Sequence, residues 1–158
     1  MKYFAYGSNM NLKDLASWCE SKGYEPIKPK SSIIGALKRY KLSFNYYSEG
    51  RKSSALNVMD DPSDFVCGAI LELSKDDYDK IKEKEGSTLK PPKYIEIDVQ
   101  VKVPGRIIKA KTFKANKQFE RDFVRPTKEY LDIVLNGASK QGLDSECIEK
   151  IINASRGL

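Results

Sequence analysis

Histidine is absent from this sequence of 158 residues. Without an imidazole, neither a Ser-His-Asp nor a Cys-His nucleophilic site can be assembled. The usual catalytic zinc sites are disfavoured as well, because their ligand sets rely on histidine. If the protein is an enzyme, its proton-transfer group must therefore be Asp, Glu, Lys, Tyr or Cys.

Cysteine is scarce, with Cys19, Cys67 and Cys147 as the three cysteines of the chain. They are odd in number and far apart, and none belongs to a CxxC pair. The spacing therefore indicates neither a zinc site nor a thioredoxin-like redox pair. We expect free thiols in a reducing cytosol. Cys67 lies in an apolar segment and is expected to be buried and inert rather than catalytic.

Long apolar runs are also missing. No run approaches the roughly 18 residues that a membrane-spanning helix needs, and the N-terminus lacks the pattern of a signal peptide. Hydrophobic residues make up 40% and charged residues 32% of the chain, which is typical of a globular protein rather than a disordered one. We therefore expect a cytoplasmic protein with no membrane partner, folded as a single domain over residues 1–158.

The chain shows no concentrated basic stripe, although its formal net charge is +6 and its pI about 9.1. Lysines usually stand beside acids, as in the mixed-sign segment "KDDYDKIKEKEG" at residues 75–86. The densest basic cluster, residues 38–41, falls on a predicted strand whose charges would be solvated. Nucleic acid is therefore not the expected partner.

The hydrophobic pattern predicts about six strands and few long helices. "YIEIDVQVKV" alternates cleanly and is followed by Pro104-Gly105 and a second strand, which together indicate a hairpin. One long or bent strand is predicted at residues 31–48, with Gly35 at a bend or a bulge. The other predicted strands are residues 2–6, 51–58 and 65–73, with a turn at 60–63, and the predicted helices are 11–23, 74–86 and 127–153, the last broken near 137–142. These elements favour an α+β fold with a small, mostly antiparallel, barrel-like sheet and flanking helices.

The opening strand ends abruptly in Gly7-Ser8-Asn9, just before the first helix. Such a turn leaves several backbone N–H groups unpaired and pointing the same way. It is either a plain connection from strand to helix or a cradle for a negatively charged group.

Three separated stretches carry a family resemblance. They are "YFAYGSNM" at the N-terminus, "DDPSDFVCGAILELSKDDYDKIKEKEG" at 60–86 and "RPTKEYLDIVLNGASKQGL" at 125–143. In this order they resemble the gamma-glutamylcyclotransferase-like proteins, which include the gamma-glutamylamine cyclotransferases. One departure is visible: Ile81-Lys82 stand where the family often has Leu-Asp.

The resemblance implies an enzyme that cleaves a γ-glutamyl amide without water. The substrate's own α-amine attacks its γ-carbonyl, and 5-oxoproline and a free amine leave. The implied catalytic residue is Glu85, as general acid and base. The implied substrate-binding residues are Tyr3, Phe4, Ala5, Tyr6, Gly7, Ser8, Asn9 and Tyr130. The implied partner is a small γ-glutamyl molecule, and the chemistry asks for no metal and no cofactor.

Several alternatives stay open at this point. The N–H groups of the Gly7-Ser8-Asn9 turn would hold either the substrate's α-carboxylate or the developing oxyanion. The leaving amine is an amino acid, an ε-lysine or the cysteinyl-glycine of glutathione. The loop 87–93 is the expected specificity segment because it follows Glu85 directly, and its Lys90 and Lys93 would favour a leaving group with a carboxylate. A non-catalytic module that binds γ-glutamyl or carboxylate ligands is the alternative function, and the sequence indicates no oligomeric state.

Overall fold

The computed structural model describes all 158 residues, in five strands and four helices. The strands are β1 (Lys2–Ala5), β2 (Ser31–Ser48), β3 (Ser53–Glu72), β4 (Tyr94–Val103) and β5 (Arg106–Ala115). The helices are α1 (Leu12–Ser21), α2 (Lys75–Lys84), α3 (Lys128–Gln141) and α4 (Ser145–Ser155), with short 3₁₀ turns at Ser8–Met10 and Lys117–Phe119. None of the helices is both long and apolar enough to cross a membrane.

The strands form a closed barrel in the order β1-β3-β2-β4-β5. Neighbouring strands run antiparallel, except that β1 and β5 close the barrel in parallel, with Tyr3 opposite Lys111. This confirms the predicted α+β class with a mostly antiparallel, barrel-like sheet. The predicted hairpin is also present, and β4 and β5 pair along their whole length from Tyr94 opposite Ala115 to Val103 opposite Arg106.

The longest hairpin differs from the prediction in strand number. The predicted turn at 60–63 lies inside β3, so the chain has five strands rather than six. The pairing with β2 shifts register there: Lys38 faces Phe65 and Tyr40 faces Asp60, which leaves residues 61–64 opposite Arg39 alone. A proline is tolerated in this bulge because no ladder hydrogen bond is required of it. The turn-forming residues bend the strand without ending it.

Gly35 was predicted to mark a bend or a bulge of β2, and this prediction is wrong. Gly35 pairs regularly with Gly68, and the register shifts of β2 lie between Lys38 and Tyr40, where Arg39 has a φ of 71°, and between Ser43 and Tyr46. Residue 35 has no room for a side chain, because a Cβ on Gly35 would lie 2.5 Å from Cγ1 of Val101 on β4.

The helix boundaries follow their capping residues. The Ser74 side chain accepts a hydrogen bond from the backbone N–H of Asp77 and caps α2, close to the predicted start of this helix at residue 74. The predicted break at 137–142 is placed too early, since Gly137 lies inside α3. That helix ends at Gly142, whose φ of 95° lies in the left-handed region that favours glycine. Asp144 then caps α4.

The expectation of free thiols is wrong for two of the three cysteines. Cys67 on β3 and Cys147 on α4 form a disulfide with a Cα–Cα distance of 5.8 Å, and only Cys19 is free and buried. Eighty residues separate the two partners, and their encounter depends on how α4 packs against the barrel. The inference of a reducing compartment from free thiols therefore loses its basis.

Reduction of the Cys67–Cys147 disulfide is expected to lower the free energy of unfolding by about 2–4 kcal/mol, because it releases a long loop in the unfolded chain. Urea unfolding with and without reductant measures the difference. The double variant Cys67→Ala/Cys147→Ala is the control and should unfold identically in both conditions. Alkylation of three thiols in the unreduced, denatured protein would contradict the disulfide.

Candidate active site

A cavity of about 190 Å³ opens at the end of the barrel where β1 stops. Among the residues proposed from the sequence, those that line it are Tyr3, Tyr6, Gly7, Ser8, Asn9, Glu85 and Tyr130. The remaining walls are Tyr46, Ser48, Gly50, Arg51, Ala55, Leu56, Lys84, Lys93 and Tyr94. The cavity therefore joins the turn after β1, the last residue of α2, the first turn of α3 and the tip of the β2–β3 hairpin.

Two of the proposed binding residues do not face this cavity. Phe4 and Ala5 are fully buried in the core, where their backbones pair with Ile70 and Ala69 of β3. Tyr3 and Tyr6 both reach the cavity because β1 ends at Ala5, so Tyr6 is released from the strict alternation of a strand. We leave Phe4 and Ala5 out of the proposed site.

The end of α2 holds Glu85 at the cavity wall. The backbone N–H of Glu85 still donates to the carbonyl of Ile81 at 2.9 Å, and the chain then turns away at Gly86, whose φ is 68°. Glycine adopts this left-handed conformation readily, so Gly86 allows the chain to leave the helix immediately after Glu85. The negative end of the helix dipole disfavours an ionised carboxylate here.

The Asn9 side chain connects the ionisable groups of the site. Its Nδ2 donates to Oε1 of Glu85 at 2.8 Å and to the hydroxyl of Tyr3 at 2.9 Å. Its Oδ1 accepts a hydrogen bond from Nζ of Lys84 at 2.8 Å. Both amide hydrogens and the amide oxygen are thus used, which fixes the orientation of a side chain that is only 3% exposed.

Burial raises the pKa of the Glu85 carboxyl above its ordinary value, while the charges of Lys84 and Arg51 and the hydrogen bond from Asn9 act in the opposite direction. Burial also lowers the pKa of the Lys84 ammonium, although the nearby Glu85 and Asp14 carboxylates raise it. A carboxyl with a raised pKa can both accept and return a proton near neutral pH.

Tyrosine hydroxyls form much of the remaining polar surface. Tyr94 donates to the carbonyl of Leu56 at 2.8 Å, and Tyr130 accepts from the Leu56 N–H at 3.4 Å. Tyr6 donates to the carbonyl of Phe113 at 2.6 Å. Burial raises the pKa of all these hydroxyls, so they remain protonated donors. The Tyr130 hydroxyl lines the cavity, where it can donate a hydrogen bond to a ligand.

The turn after β1 presents backbone donors to the cavity. The hydrogen bonds that close it come from Met10 and Asn11, which donate to the carbonyls of Gly7 and Ser8 at 3.1 and 2.9 Å. The N–H groups of Gly7, Ser8 and Asn9 precede these donors and take no part in closing the turn. They are therefore available to an anionic group of a ligand.

An ion pair that the sequence did not indicate closes one side of the cavity. Arg51, in the turn of the β2–β3 hairpin, donates to both carboxylate oxygens of Asp14 on α1 at 2.9 and 2.5 Å. The Arg51 guanidinium also lies 5.6 Å from the centre of the Tyr130 ring. Hydrogen bonding to Asp14 raises the pKa of Arg51. Arg51 is therefore a fixed positive charge at the cavity wall.

The loop 87–93 contributes less than expected. Lys93 lines the cavity, whereas Lys90 does not. Tyr46 and Tyr94 also line the wall, and their rings pack edge-on with the ring centres 4.8 Å apart. No periodicity or motif marks Arg51, and Lys84 is indistinguishable in the sequence from the other lysines of α2.

Comparisons with known proteins agree in family and fold. A family model described as the AIG2-like family matches residues 65–151, more than half of the chain. The chain is 26% identical to gamma-glutamylcyclotransferase of Homo sapiens over 155 residues, covering 94% of this chain and 76% of the relative. It is 25% identical to gamma-glutamylcyclotransferase of Mus musculus over 156 residues, again covering 94% of this chain and 76% of the relative.

Solved structures share the barrel fold. A protein described as gamma-glutamyl cyclotransferase superposes with a TM-score of 0.78 at 23% identity, over 96% of this chain and 86% of that one. YkqA from Bacillus subtilis superposes with a TM-score of 0.79 at 21% identity, over 100% of this chain and 55% of that one.

Proposed function

The chain belongs to the AIG2-like family of gamma-glutamylcyclotransferase-like proteins, and we propose that it releases 5-oxoproline from γ-glutamyl amides with Glu85 as general acid and base. One observation carries the proposal: the Glu85 carboxyl, held by Asn9 and with its pKa raised by burial, lies in a cavity beside unpaired backbone donors. The relatives named gamma-glutamylcyclotransferase support the same type of reaction.

The proposed reaction begins when the Glu85 carboxylate accepts a proton from the substrate's α-ammonium. The freed amine forms a bond to the γ-carbonyl carbon and closes a five-membered ring, and negative charge develops on the carbonyl oxygen. The bond to the leaving nitrogen then breaks as Glu85 returns the proton to that nitrogen. After the attack the ring nitrogen still carries two hydrogens, and it gives up its second proton, which the leaving amine takes up. Two protons thus pass from the α-nitrogen to the leaving nitrogen, and neither water nor a nucleophilic side chain is consumed.

Positioning supplies much of the proposed catalysis. The glutamyl chain must be folded so that its two ends meet, which can lower a barrier by roughly 7–11 kcal/mol. The N–H groups of Gly7, Ser8 and Asn9 would hold the α-carboxylate or the oxyanion, and the Tyr130 hydroxyl would bind the glutamyl carboxylate or the product. The buried walls of the cavity strengthen each of these interactions.

The test is 5-oxoproline release from a panel of γ-glutamyl amino acids and γ-glutamyl amines. We expect release from at least one free γ-glutamyl compound and none from its N-acetyl derivative, whose α-nitrogen cannot attack. Release of glutamate instead of 5-oxoproline would indicate hydrolysis and contradict the proposal. If no compound reacts but γ-glutamyl ligands raise the melting temperature, the protein is a binding module of the same fold.

A further inference from the structure

A buried lysine, Lys84, lies next to Glu85 in the cavity wall. It is the last residue of α2, and its side chain is 9% exposed. Its Nζ donates a hydrogen bond to Oδ1 of Asn9 at 2.8 Å. Because an ammonium group is costly to remove from water, a lysine in this position needs both a hydrogen-bond acceptor and a counter-charge.

Two cations and two carboxylates lie together at this wall. Arg51 binds both carboxylate oxygens of Asp14 through two hydrogen bonds. Nζ of Lys84 lies 4.0 Å from the same carboxylate, which is longer than a hydrogen bond. Since the guanidinium already neutralises Asp14, the carboxylate that is left to balance Lys84 is that of Glu85. The four charges therefore cancel when Glu85 is ionised.

Asn9 connects Lys84 to Glu85. A lysine ammonium has three donors and no acceptor, so the Asn9 atom that faces it must be the amide oxygen. The amide nitrogen then faces the other way, where Nδ2 donates to Oε1 of Glu85 at 2.8 Å and to the Tyr3 hydroxyl at 2.9 Å. If the amide were flipped, its oxygen would face the carboxylate and its nitrogen the ammonium, and both contacts would be repulsive. Lys84 thus fixes the direction in which Asn9 donates.

The other ionisable groups around Glu85 differ from Lys84 in charge or exposure. Cys19 is a buried free cysteine close enough to act on Lys84. Lys93 lines the cavity but is exposed, so water and salt screen its charge. Burial raises the pKa of the hydroxyls of the five neighbouring tyrosines, which stay neutral: Tyr3, Tyr6, Tyr46, Tyr94 and Tyr130. Of the two cations that act on Glu85, Arg51 has its own carboxylate partner and Lys84 has none.

We propose that Lys84 is a positioning residue of the site, which supplies the counter-charge that keeps Glu85 ionised and orients Asn9 so that its amide donates to the carboxylate. The proposal rests on the proposed function and specifies how its acid and base is held ready. Burial favours a protonated Glu85, which could not accept the proton of the α-ammonium. The charge of Lys84 opposes this by lowering the pKa of the Glu85 carboxyl. Once Glu85 has taken up the proton, the wall holds an uncompensated positive charge, which favours return of the proton to the leaving nitrogen.

Lys84→Met tests the proposal, because methionine has nearly the length of lysine but carries no charge and no donor. Removing the cation should raise the pKa of Glu85, so the acid limb of kcat/KM should move to higher pH by at least about half a pH unit. Lys84→Arg keeps a charge and a donor and should leave the limb near its wild-type position. An unmoved limb in Lys84→Met, or an equal shift in Lys84→Arg, would overturn the proposal.

Lys82→Met is the matched control. Lys82 lies two residues earlier on the same helix and does not line the cavity. The substitution removes the same charge, and we expect the acid limb to stay within about 0.2 pH unit of the wild type, because solvent screens a charge outside the site. A comparable shift in Lys82→Met would attribute the effect to net charge and overturn the role of Lys84.

Two NMR titrations test the pairing of Lys84 with Glu85 without the reaction. The carboxyl carbon of Glu85, identified as the signal lost in Glu85→Gln, should titrate at a higher pH in Lys84→Met than in the wild type. Linkage requires the reciprocal effect, since the Glu85 carboxylate raises the pKa of Lys84. The Cε signal of Lys84, identified as the one missing from Lys84→Arg, should therefore titrate at a lower pH in Glu85→Gln.

The reciprocal titration needs no folded Lys84→Met protein, and an unchanged titration of every lysine in Glu85→Gln would overturn the proposal. Release of 5-oxoproline with an acid limb that does not respond to Lys84→Met would overturn this proposal alone. No release from any γ-glutamyl compound would overturn the proposed function, and the titrations would still uphold or overturn the pairing of Lys84 with Glu85.

Discussion

Replacing Glu85 by glutamine is expected to lower kcat for 5-oxoproline release by about 10²–10⁴-fold, the usual contribution of a positioned general acid or base. The glutamine amide has the shape of the carboxyl and can still accept the hydrogen bond from Asn9, but it cannot take a proton from the substrate's α-ammonium. Substrate binding should change much less, so the loss should appear in kcat rather than in KM. Steady-state assays of 5-oxoproline measure both constants.

Glu83→Gln is the matched control for this prediction. Glu83 lies two residues earlier on α2, is exposed, and accepts a hydrogen bond from the Tyr24 hydroxyl at 2.7 Å, away from the cavity. The same charge is removed, and we expect kcat within about twofold of the wild type, as for most exposed substitutions. An equal loss in both variants, or retained activity in Glu85→Gln, would exclude Glu85 as the acid and base.

The pH dependence of the wild type follows from the same residue. Glu85 must be ionised to accept the first proton, and burial raises its pKa. The rate should therefore fall as the pH drops through this raised pKa, at a higher pH than the ordinary glutamate value of about 4.3. The Glu85→Gln variant should lack this acid limb. An acid limb that persists in the variant would belong to another group.

Local signals in the sequence located the parts of the site that depend on neighbouring residues. The Ser74 cap and the glycine at position 86 bracket α2, so the position of Glu85 at a helix end is readable from the chain alone. The clean alternation of β4 likewise predicted a hairpin that the structure confirms. Each of these features is determined by residues within a few positions of one another, where propensity and periodicity operate.

Features that depend on contacts between residues far apart in the chain could not be predicted from the sequence. Arg51 reaches the cavity because Asp14, 37 residues away, holds its guanidinium. The Cys67–Cys147 disulfide requires α4 to pack beside β3, which no spacing rule indicates. The bulge that keeps β3 continuous past Pro62 is stabilised by pairing with β2 on both sides, so turn-forming residues did not end the strand. Tertiary contacts override local preference in each case.

A substitution far from the reacting atoms, Gly137→Val, is expected to lower the free energy of unfolding by about 3 kcal/mol or more. Gly137 is buried in α3 against the start of α1, where a Cβ would lie 2.6 Å from the backbone N of Asn11. Asn11 cannot move aside easily, because its side chain caps α1 and its Nδ2 donates to the carbonyl of Ile133 at 3.0 Å. The clash must therefore separate α3 from the turn that follows β1.

The same displacement should impair the proposed reaction, because α3 carries Tyr130 and the turn carries the Gly7–Asn9 donors. A misplacement of about 1 Å can cost about 10²-fold, so we expect kcat/KM to fall by that order in the folded fraction. Helix propensity cannot account for a loss, since valine is slightly more favourable than glycine in a helix. Asn136→Val is the control. Asn136 is the exposed neighbour of Gly137 on α3, and asparagine and valine have similar helix propensities, so stability and activity should change little. Urea unfolding and 5-oxoproline assays of both variants measure these effects. If the Gly137→Val protein is as stable and active as Asn136→Val, the close contact between α3 and Asn11 is not required to hold the site together.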